Sequence, residues 1–279
     1  MKIGIALGKA HPSRHLEIVL EAERLGFESV WMPEHLVFPR EMAGSPHPGA
    51  AAPPVPPTTP VFDVFGWLCF LAGKTQRIRL GTHVYLLGLR HPFVAARAIQ
   101  TLDIVSGGRA EIGIGAGWLR SEWQAAGLDP SSRGRRLDEA LAICKRLWSE
   151  EFVEVHGEFF DFAPVCFEPK PLQRPWPPLH AGGESPRALR RAAMHCDGWI
   201  GLEHTPESAA ARVAQLRALR AEVELANEPF AVSLSSRVQC SDDLRRLEEA
   251  GVDRLVVSPW RRTSEALDGL RRLAEIALA

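Results

Sequence analysis

TLDIVSGGRAEIGIGAGW, residues 101–118, is the stretch of sequence from which the fold of this chain is inferred. It predicts the end of a helix, a turn at the glycine pair 107–108, and a short apolar strand over 110–114. Three glycines then alternate at the carboxyl end of that strand, at Gly113, Gly115 and Gly117. Glycine weakens a strand, so this spacing indicates a backbone that something flat approaches closely. We therefore predict the floor of a cofactor site here, and a glycine-rich turn without a ligand is the alternative.

Strand and helix signals alternate in the same way along the whole chain. Short apolar strands are predicted at 2–7, 29–32, 78–87, 110–114, 179–181, 198–202, 230–238 and 252–258. Helices are predicted at 13–25, 62–72, 92–105, 133–150, 185–195, 206–225, 242–250 and 264–278. Eight strand–helix units in 279 residues predict an α/β fold, a closed (β/α)8 TIM barrel with loop insertions that forms one domain over 1–279. A doubly wound sheet, which rarely has eight even repeats, is the alternative.

Two segments interrupt the alternation. Residues 39–60 are rich in proline and lack periodicity, so they predict a long loop that is either a lid or disordered. Because this loop follows His35 closely, we favour a lid. Residues 151–178 predict an insertion with a short hairpin at 152–162 that turns at His156 and Gly157.

Composition and charge exclude several classes of protein. The net charge is −1, with 46% hydrophobic and 24% charged residues, so the bulk electrostatics do not favour nucleic acid or an acidic membrane. The amino terminus lacks a signal-peptide core, and no stretch reaches the roughly 18 apolar residues of a membrane helix. The five cysteines are dispersed and lack a C-x-x-C pair. These features predict a cytoplasmic protein with reduced thiols that acts on a small molecule.

Motifs for several common chemistries are missing from the sequence. A dinucleotide-binding G-x-G-x-x-G pattern would need a glycine where Trp118 stands. Neither a G-x-S-x-G elbow nor a G-x-x-x-x-G-K-[ST] loop occurs. His11 and His15 are four residues apart, but the proline and serine between them predict a helix start instead of a metal-binding face. We therefore expect no metal site.

Beyond these patterns, the run IRLGTHVYLLGLRHPFVAARAIQTLDIVSGGRAEIGIGAGW at 78–118 resembles the core of the luciferase-like monooxygenase superfamily. It is most similar to the branch of coenzyme F420-dependent oxidoreductases. The matching motifs are R-H-P at 90–92, T-L-D-x-x-S-G-G-R at 101–109, G-I-G-A-G-W at 113–118, P-E-H at 33–35 and A-G-G at 181–183. The likeness spans most of the chain, and it weakens in the 39–60 loop and beyond Thr205.

This resemblance implies a barrel, usually a homodimer, that binds F420 or FMN at its carboxyl-terminal mouth. The leading hypothesis is an F420-dependent oxidoreductase that transfers a hydride between the deazaflavin and a small organic substrate. The second is an FMN-dependent monooxygenase that uses a separate reductase. The third is a barrel that binds flavin or F420 without turnover.

The resemblance also implies a catalytic role for His35 and Glu34. His35 follows the second strand, at the end of a barrel where catalytic groups collect. The matching family residue lies near the reactive face of the cofactor, and imidazole suits proton transfer near neutral pH. Glu34 is expected to position His35 or to contact the cofactor. A histidine that only closes the strand is the alternative.

The predicted third strand ends in Thr82, His83 and Val84, where family members often carry a bulge with a non-prolyl cis peptide against the cofactor ring. By the match, that peptide would join His83 to Val84, and a trans strand end is the alternative. On the fourth strand, the matching cofactor-binding residues are Gly115, Ala116 and Gly117.

A second glycine turn leads from the fifth strand of the barrel into a helix, at Ala181, Gly182 and Gly183. Exposed amides at a helix start attract anions, so the cofactor phosphate is predicted here with Ser185 as a hydroxyl donor. Glu184 would then have to point away from the phosphate. A simple turn with a helix cap is the alternative.

Overall fold

The computed structural model describes residues 1–47, 49–236 and 238–278. Ten strands are described: β1 Lys2–Ala6, β2 Ser29–Met32, β3 Arg79–Tyr85, β4 Ala110–Ile114, β5 Phe152–His156, β6 Asp161–Cys166, β7 Leu179–Gly182, β8 Gly198–Leu202, β9 Ala231–Ser235 and β10 Arg254–Val257. The described α-helices are α1 His15–Leu25, α2 Val64–Ala72, α3 Pro92–Val105, α4 Arg120–Ala125, α5 Arg133–Ser149, α6 Pro186–His195, α7 Pro206–Ala221, α8 Ser241–Glu249 and α9 Ala266–Ala277.

Eight of these strands form a closed parallel barrel. Their order around the ring is β1-β10-β9-β8-β7-β4-β3-β2, and β2 pairs back to β1. The closed ring confirms the predicted (β/α)8 TIM barrel, since a doubly wound sheet would have two open edges. The two remaining strands, β5 and β6, form an antiparallel hairpin outside the ring.

The strand and helix sequences explain how the ring is buried on both faces. Every residue of β2, β4 and β10 is buried, which is typical of parallel strands covered by helices. The amphipathic helix α5 turns Leu137, Leu141 and Trp148 toward the interior. Gly26 ends α1 with a φ of 94°, in the left-handed region that favours glycine.

The indole of Trp31 fills the barrel interior. Gly81 lies against this ring, where a side chain on residue 81 would overlap it. Trp31 Nε1 donates a hydrogen bond to Ser29 Oγ at 2.8 Å, so the buried polar atom is satisfied. The ring meets His83 near the carboxyl end of β3, with centroids 6.5 Å apart, and the Arg254 guanidinium at the amino end of β10, 5.2 Å away. Trp31 therefore separates the two ends of the interior.

Charged side chains are buried at the amino-terminal ends of the strands. Glu111 accepts a hydrogen bond from Arg79 Nε at 2.5 Å, and its other oxygen lies 2.5 Å from His180 Nε2. Arg254 Nη2 is 3.4 Å from Glu111 and 2.8 Å from Glu28. Burial alone would raise the pKa of Glu111, but the His180 hydrogen bond and the two guanidinium groups lower it to about 2. This cluster therefore holds an ionised carboxylate.

Some element boundaries differ from the predicted ones. The hairpin spans 152–166 and turns at 157–160, so its second strand is longer than predicted. Helix α4 was not predicted, because its six residues are too few to show helical periodicity. The strand predicted at 230–238 is β9, Ala231–Ser235, and residue 237 lies outside the described residues.

Between Met32 and Val64 no helix or strand is described. The predicted loop at 39–60 lies in this stretch, and its Pro48 lies outside the described residues. In the part of the chain that the structure covers, no helix is long and apolar enough to cross a membrane. The five cysteines are free thiols, as expected.

Replacing Glu111 with glutamine is expected to lower the free energy of unfolding at pH 7 by about 3 kcal/mol, because the partners of a buried charge are then left uncompensated. The pKa of Glu111 lies below its ordinary value of 4.5. Its stabilising contribution is therefore fully present above pH 4.5 and is lost as the pH falls toward 2. Urea unfolding at pH 7 and pH 3 measures both effects.

The matched control for this experiment is Glu158→Gln, which removes the carboxylate of an exposed ion pair with Arg135. That change should alter the free energy of unfolding by less than about 0.5 kcal/mol. Equal effects of the two substitutions at pH 7 would contradict the role given to the buried cluster.

Candidate active site

The carboxyl ends of the barrel strands meet at one mouth, and the side chain of Val84 in β3 shows how closely they approach. A Cβ on Gly115, just after β4, would lie 2.5 Å from Val84 Cγ2. A Cβ on Gly182, in β7, would lie 2.9 Å from Val84 Cγ1. The structure thus brings together predicted cofactor-binding residues from three neighbouring strands, at the end of a barrel where ligands bind.

The bulge predicted in β3 is present. The peptide between His83 and Val84 is cis, as expected, and the register of β3 against β4 shifts between Thr82 and Tyr85. Thr82 is fully buried, and its Oγ1 donates a hydrogen bond to Gly113 O at 2.7 Å. The Thr82 side chain therefore supports the bulge from within the barrel wall.

The glycines at the end of β4 lie against the neighbouring strand β3. A side chain on Gly113 would overlap the carbonyl group of Thr82, and a side chain on Gly115 would meet Val84. Gly117 has a φ of 76°, which favours glycine. The β3 bulge thus makes the close approach to Gly113 and Gly115, and the floor of a cofactor site stays a prediction.

His35 lies at the same mouth, directly after β2, with its side chain 15% exposed. Its Nδ1 is 2.9 Å from Glu122 Oε2. The imidazole also contacts the rings of Phe38 and Trp118, with centroids 4.5 and 5.8 Å away. Glu122 is fully buried, and its Oε1 accepts a hydrogen bond from the backbone N–H of Leu36 at 2.6 Å. Nε2 is thus the ring nitrogen of His35 that lies outside the contact with Glu122.

Sequence reasoning missed Glu122. An acidic residue in a short segment is usually exposed, so nothing in the pattern marks it as buried. The only local signal is the adjacent Trp123, which is also fully buried and indicates that this turn of α4 faces the interior.

Glu34 has a different role from the one expected. Its Oε2 accepts a hydrogen bond from the backbone N–H of Leu86 at 2.8 Å, and its Oε1 pairs with Arg90 Nη2 at 2.6 Å. Glu34 therefore ties the end of β2 to the segment that follows β3. The expectation that it positions His35 is wrong, since Glu122 holds that ring. The other expected role, contact with the cofactor, stays a prediction.

His83 contributes an unsatisfied nitrogen. Its Nε2 is buried and has no hydrogen-bond partner among the described residues. Burial, assisted by the nearby His47, lowers the pKa of His83 to about 4. At neutral pH the ring is therefore uncharged and keeps one nitrogen that a polar group of a ligand could satisfy.

The loop at 39–60 crosses this mouth. It starts beyond β2, and His47 reaches Glu203, just after β8, with Nδ1 3.6 Å from Oε1. β2 and β8 are four places apart in the ring of eight strands, so they stand on opposite sides of the barrel. The described part of the loop therefore spans the opening. Within residues 1–47, 49–236 and 238–278, no three His, Cys, Asp or Glu side chains are grouped to hold a metal ion.

The second glycine turn leads into the amino terminus of α6. Gly183 has a φ of 117°, and Ser185 caps the helix by accepting a hydrogen bond from the N–H of Ala188 at 3.2 Å. The hydroxyl hydrogen of Ser185 remains able to donate to an anion. Glu184 is directed toward β8, where its Oε1 accepts a hydrogen bond from Leu202 N at 3.0 Å.

Comparisons with known proteins match the fold and the family. A family model described as luciferase-like monooxygenase matches residues 2–258. A phthiodiolone/phenolphthiodiolone dimycocerosates ketoreductase of Mycobacterium sp. (strain JLS) is 30% identical over 242 residues, which cover 82% of this chain and 62% of the relative. A solved monooxygenase of Streptomyces bottropensis is 22% identical with a TM-score of 0.78, covering 100% of this chain and 99% of its own. An F420-dependent secondary alcohol dehydrogenase, solved with an F420–acetone adduct, is 17% identical with a TM-score of 0.79, covering 99% and 98%.

Gly115→Ala is expected to lower the free energy of unfolding by about 2 kcal/mol, because the added methyl group meets Val84. Val84→Ala removes the methyl groups that cause this overlap. The double variant should therefore be more stable than the sum of the two single effects, by about 1 kcal/mol. Urea unfolding of the wild type, both single variants and the double variant measures this coupling.

Gly134→Ala in α5 is the matched control, since a Cβ there has its nearest neighbour at 3.6 Å, an ordinary contact. We expect no loss of stability from that change. Strictly additive effects at Gly115 and Val84 would show that the two residues are not in contact.

Proposed function

We infer the chemistry of this protein from one premise, that the chain belongs to the luciferase-like monooxygenase family, a family of oxidoreductases. We propose that it is an F420-dependent oxidoreductase, which transfers a hydride between the deazaflavin and a small organic substrate. The substrate class that fits best is a ketone and the corresponding secondary alcohol.

The observation that carries this proposal is the position of His35. Interconversion of a ketone and an alcohol moves a hydride at carbon and a proton at oxygen, so it needs a group that exchanges protons near neutral pH. His35 meets this need at the carboxyl-terminal mouth, where Glu122 holds one ring nitrogen and leaves the other available. In our proposal, Nε2 of His35 gives a proton to the substrate oxygen in reduction and takes it back in oxidation.

The surrounding residues fit a planar, phosphate-bearing cofactor. The apolar Val84 and the buried, unpartnered Nε2 of His83 would contact its ring. The amino terminus of α6, with Gly183 and the hydroxyl of Ser185, would bind its phosphate. Further residues proposed to line or support this cofactor site are Thr82, Gly115, Ala116, Gly117, Ala181 and Gly182. When bound, the cofactor supplies or accepts the hydride.

Two comparisons support F420 and carbonyl chemistry, while the monooxygenase of Streptomyces bottropensis supports the alternative of a monooxygenase. The mycobacterial relative is a ketoreductase, and the alcohol dehydrogenase that shares this fold uses F420 with an acetone-derived ligand. A proton-transferring histidine next to the apolar rings of Phe38 and Trp118 suits a carbonyl substrate that is shielded from water.

We propose that the 39–60 loop acts as the lid of this site. The support is the reach of His47 across the mouth to Glu203. Trypsin cleavage after Arg40, which is exposed within this loop, should slow when the cofactor is bound.

His35→Gln is expected to lower the rate of hydride transfer about 100-fold or more, because the amide cannot exchange a proton. It should leave F420 binding close to wild type, since the amide N–H₂ can still donate to Glu122. Titration of the protein with F420 and with FMN, followed by tryptophan fluorescence, measures binding, and ketone reduction with reduced F420 measures turnover.

The matched control is His156→Gln, because His156 lies in the exposed hairpin outside the barrel. It should change neither binding nor turnover. Binding of FMN without F420 would support the monooxygenase instead, and tight F420 binding without turnover on any ketone or alcohol would support a binding protein.

We also propose that the protein is a homodimer through the outer faces of α2 and α3. On that surface Phe62 stacks on Trp67 at 5.2 Å, and Trp67 stacks on Phe70 at 5.1 Å. Phe62 and Phe70 are 43% and 41% exposed, and Val94 of the neighbouring α3 is 59% exposed. A row of exposed aromatic and aliphatic side chains on packed helices is typical of an interface.

Light scattering should therefore give a mass of twice the 30.8 kDa of one chain. Phe70→Glu should shift the protein toward the monomer, because a charge is then buried in the apolar interface. Phe152→Glu, on the exposed hairpin, is the control and should leave the mass unchanged. A monomeric wild type would overturn the proposal.

A further inference from the structure

We propose that Glu122 is the positioning residue that sets the tautomer of His35, keeping the proton on Nδ1 and leaving Nε2 as the accepting nitrogen. The inference rests on the proposed function for its catalytic consequence. Its structural content, the tautomer itself, stands on contacts that are independent of any substrate or cofactor.

Both oxygens of the Glu122 carboxylate have hydrogen-bond partners. Oε1 accepts hydrogen bonds from the backbone N–H groups of Leu36 and Val37, at 2.6 and 3.3 Å. Oε2 lies 2.9 Å from His35 Nδ1. Backbone N–H groups can only donate, so they commit Oε1 to the role of acceptor. A fully buried carboxylate also needs a donor on its second oxygen, and His35 Nδ1–H supplies it.

The imidazole of His35 is also held in one orientation. Leu36 and Val37 directly follow His35, so Glu122 holds both the imidazole and the backbone next to it. The rings of Phe38 and Trp118 pack against the imidazole. Because Nδ1 is held on the Glu122 carboxylate and both rings pack against the imidazole, the ring has one orientation. That orientation fixes the direction of Nε2.

The other ionisable group next to His35 has different partners. Glu34 is adjacent in sequence, but its oxygens are used by Leu86 N and by Arg90. Among the described contacts of His35, Glu122 is therefore the ionisable partner. A histidine held by a carboxylate in this way is a base at its free nitrogen and, after protonation, an acid at the same atom.

The substitution Glu122→Gln separates this role from a purely structural one. The introduced amide oxygen can still accept from Leu36 and Val37, so the loop keeps its hydrogen bonds. The amide N–H₂ then faces His35 Nδ1 and can only donate to it, which requires the opposite tautomer with the proton on Nε2. A residue that only holds the loop would be replaced by glutamine without any change in His35.

The test is the ¹⁵N spectrum of the full-length, ligand-free protein labelled at histidine, recorded at pH 8. The signals of His35 are identified by their loss in His35→Gln. We expect the Nδ1–H form in the wild type and the Nε2–H form in Glu122→Gln, with similar circular dichroism spectra. An Nε2–H form in the wild type would overturn the proposal even if Glu122→Gln failed to fold, and so would the same tautomer in both proteins.

The catalytic arm measures ketone reduction by Glu122→Gln. We expect kcat to fall about 100-fold with KM little changed. Wild-type kcat together with an inverted tautomer would overturn the positioning role. The NMR arm needs neither cofactor nor substrate, so a protein that proved not to use F420 would contradict the proposed function and leave the tautomer result standing.

Discussion

The mouth of this barrel depends on one packing contact, the insertion of the Val84 side chain between Gly115 and Gly182. These residues belong to three strands that are neighbours in the ring, so the contact fixes the distances among their carboxyl ends. Protein interiors are close-packed and tolerate little change in volume at such a point. Three features lie next to this side chain: the cis peptide at 83–84, the ring of His83 and the glycine turn into α6.

The two ends of the barrel interior carry different polar groups, and the side chain of Trp31 separates them. At the amino-terminal end, Glu111 and its cationic partners satisfy one another, so this end contributes stability. At the carboxyl-terminal end, His83 keeps an unpartnered nitrogen and His35 keeps one ring nitrogen outside its contact with Glu122. Half-engaged polar groups at this end are typical of barrels that bind their ligands at the carboxyl ends of the strands.

The barrel itself was predictable from the sequence, because its strands and the longer helices show local periodicity. Eight strand–helix units leave few other arrangements. The site was predictable only in part. His35 and the 83–84 peptide follow directly from strand ends and a family motif. Glu34 was assigned to His35 because the two are adjacent, yet successive residues in an extended chain point to opposite sides. The real partner, Glu122, lies 87 residues away, and no local pattern connects residues over that distance.

The hydrogen bonds that hold residues 36 and 37 restrict how the mouth of the barrel can open. Glu122 accepts hydrogen bonds from both backbone N–H groups. An opening movement of the 39–60 loop, which reaches Glu203 through His47, would therefore have to hinge beyond Val37. The imidazole sits on the fixed side of that pivot. In the proposed function, substrate could therefore enter and product leave while His35 keeps its position, so each turnover would start from the same geometry.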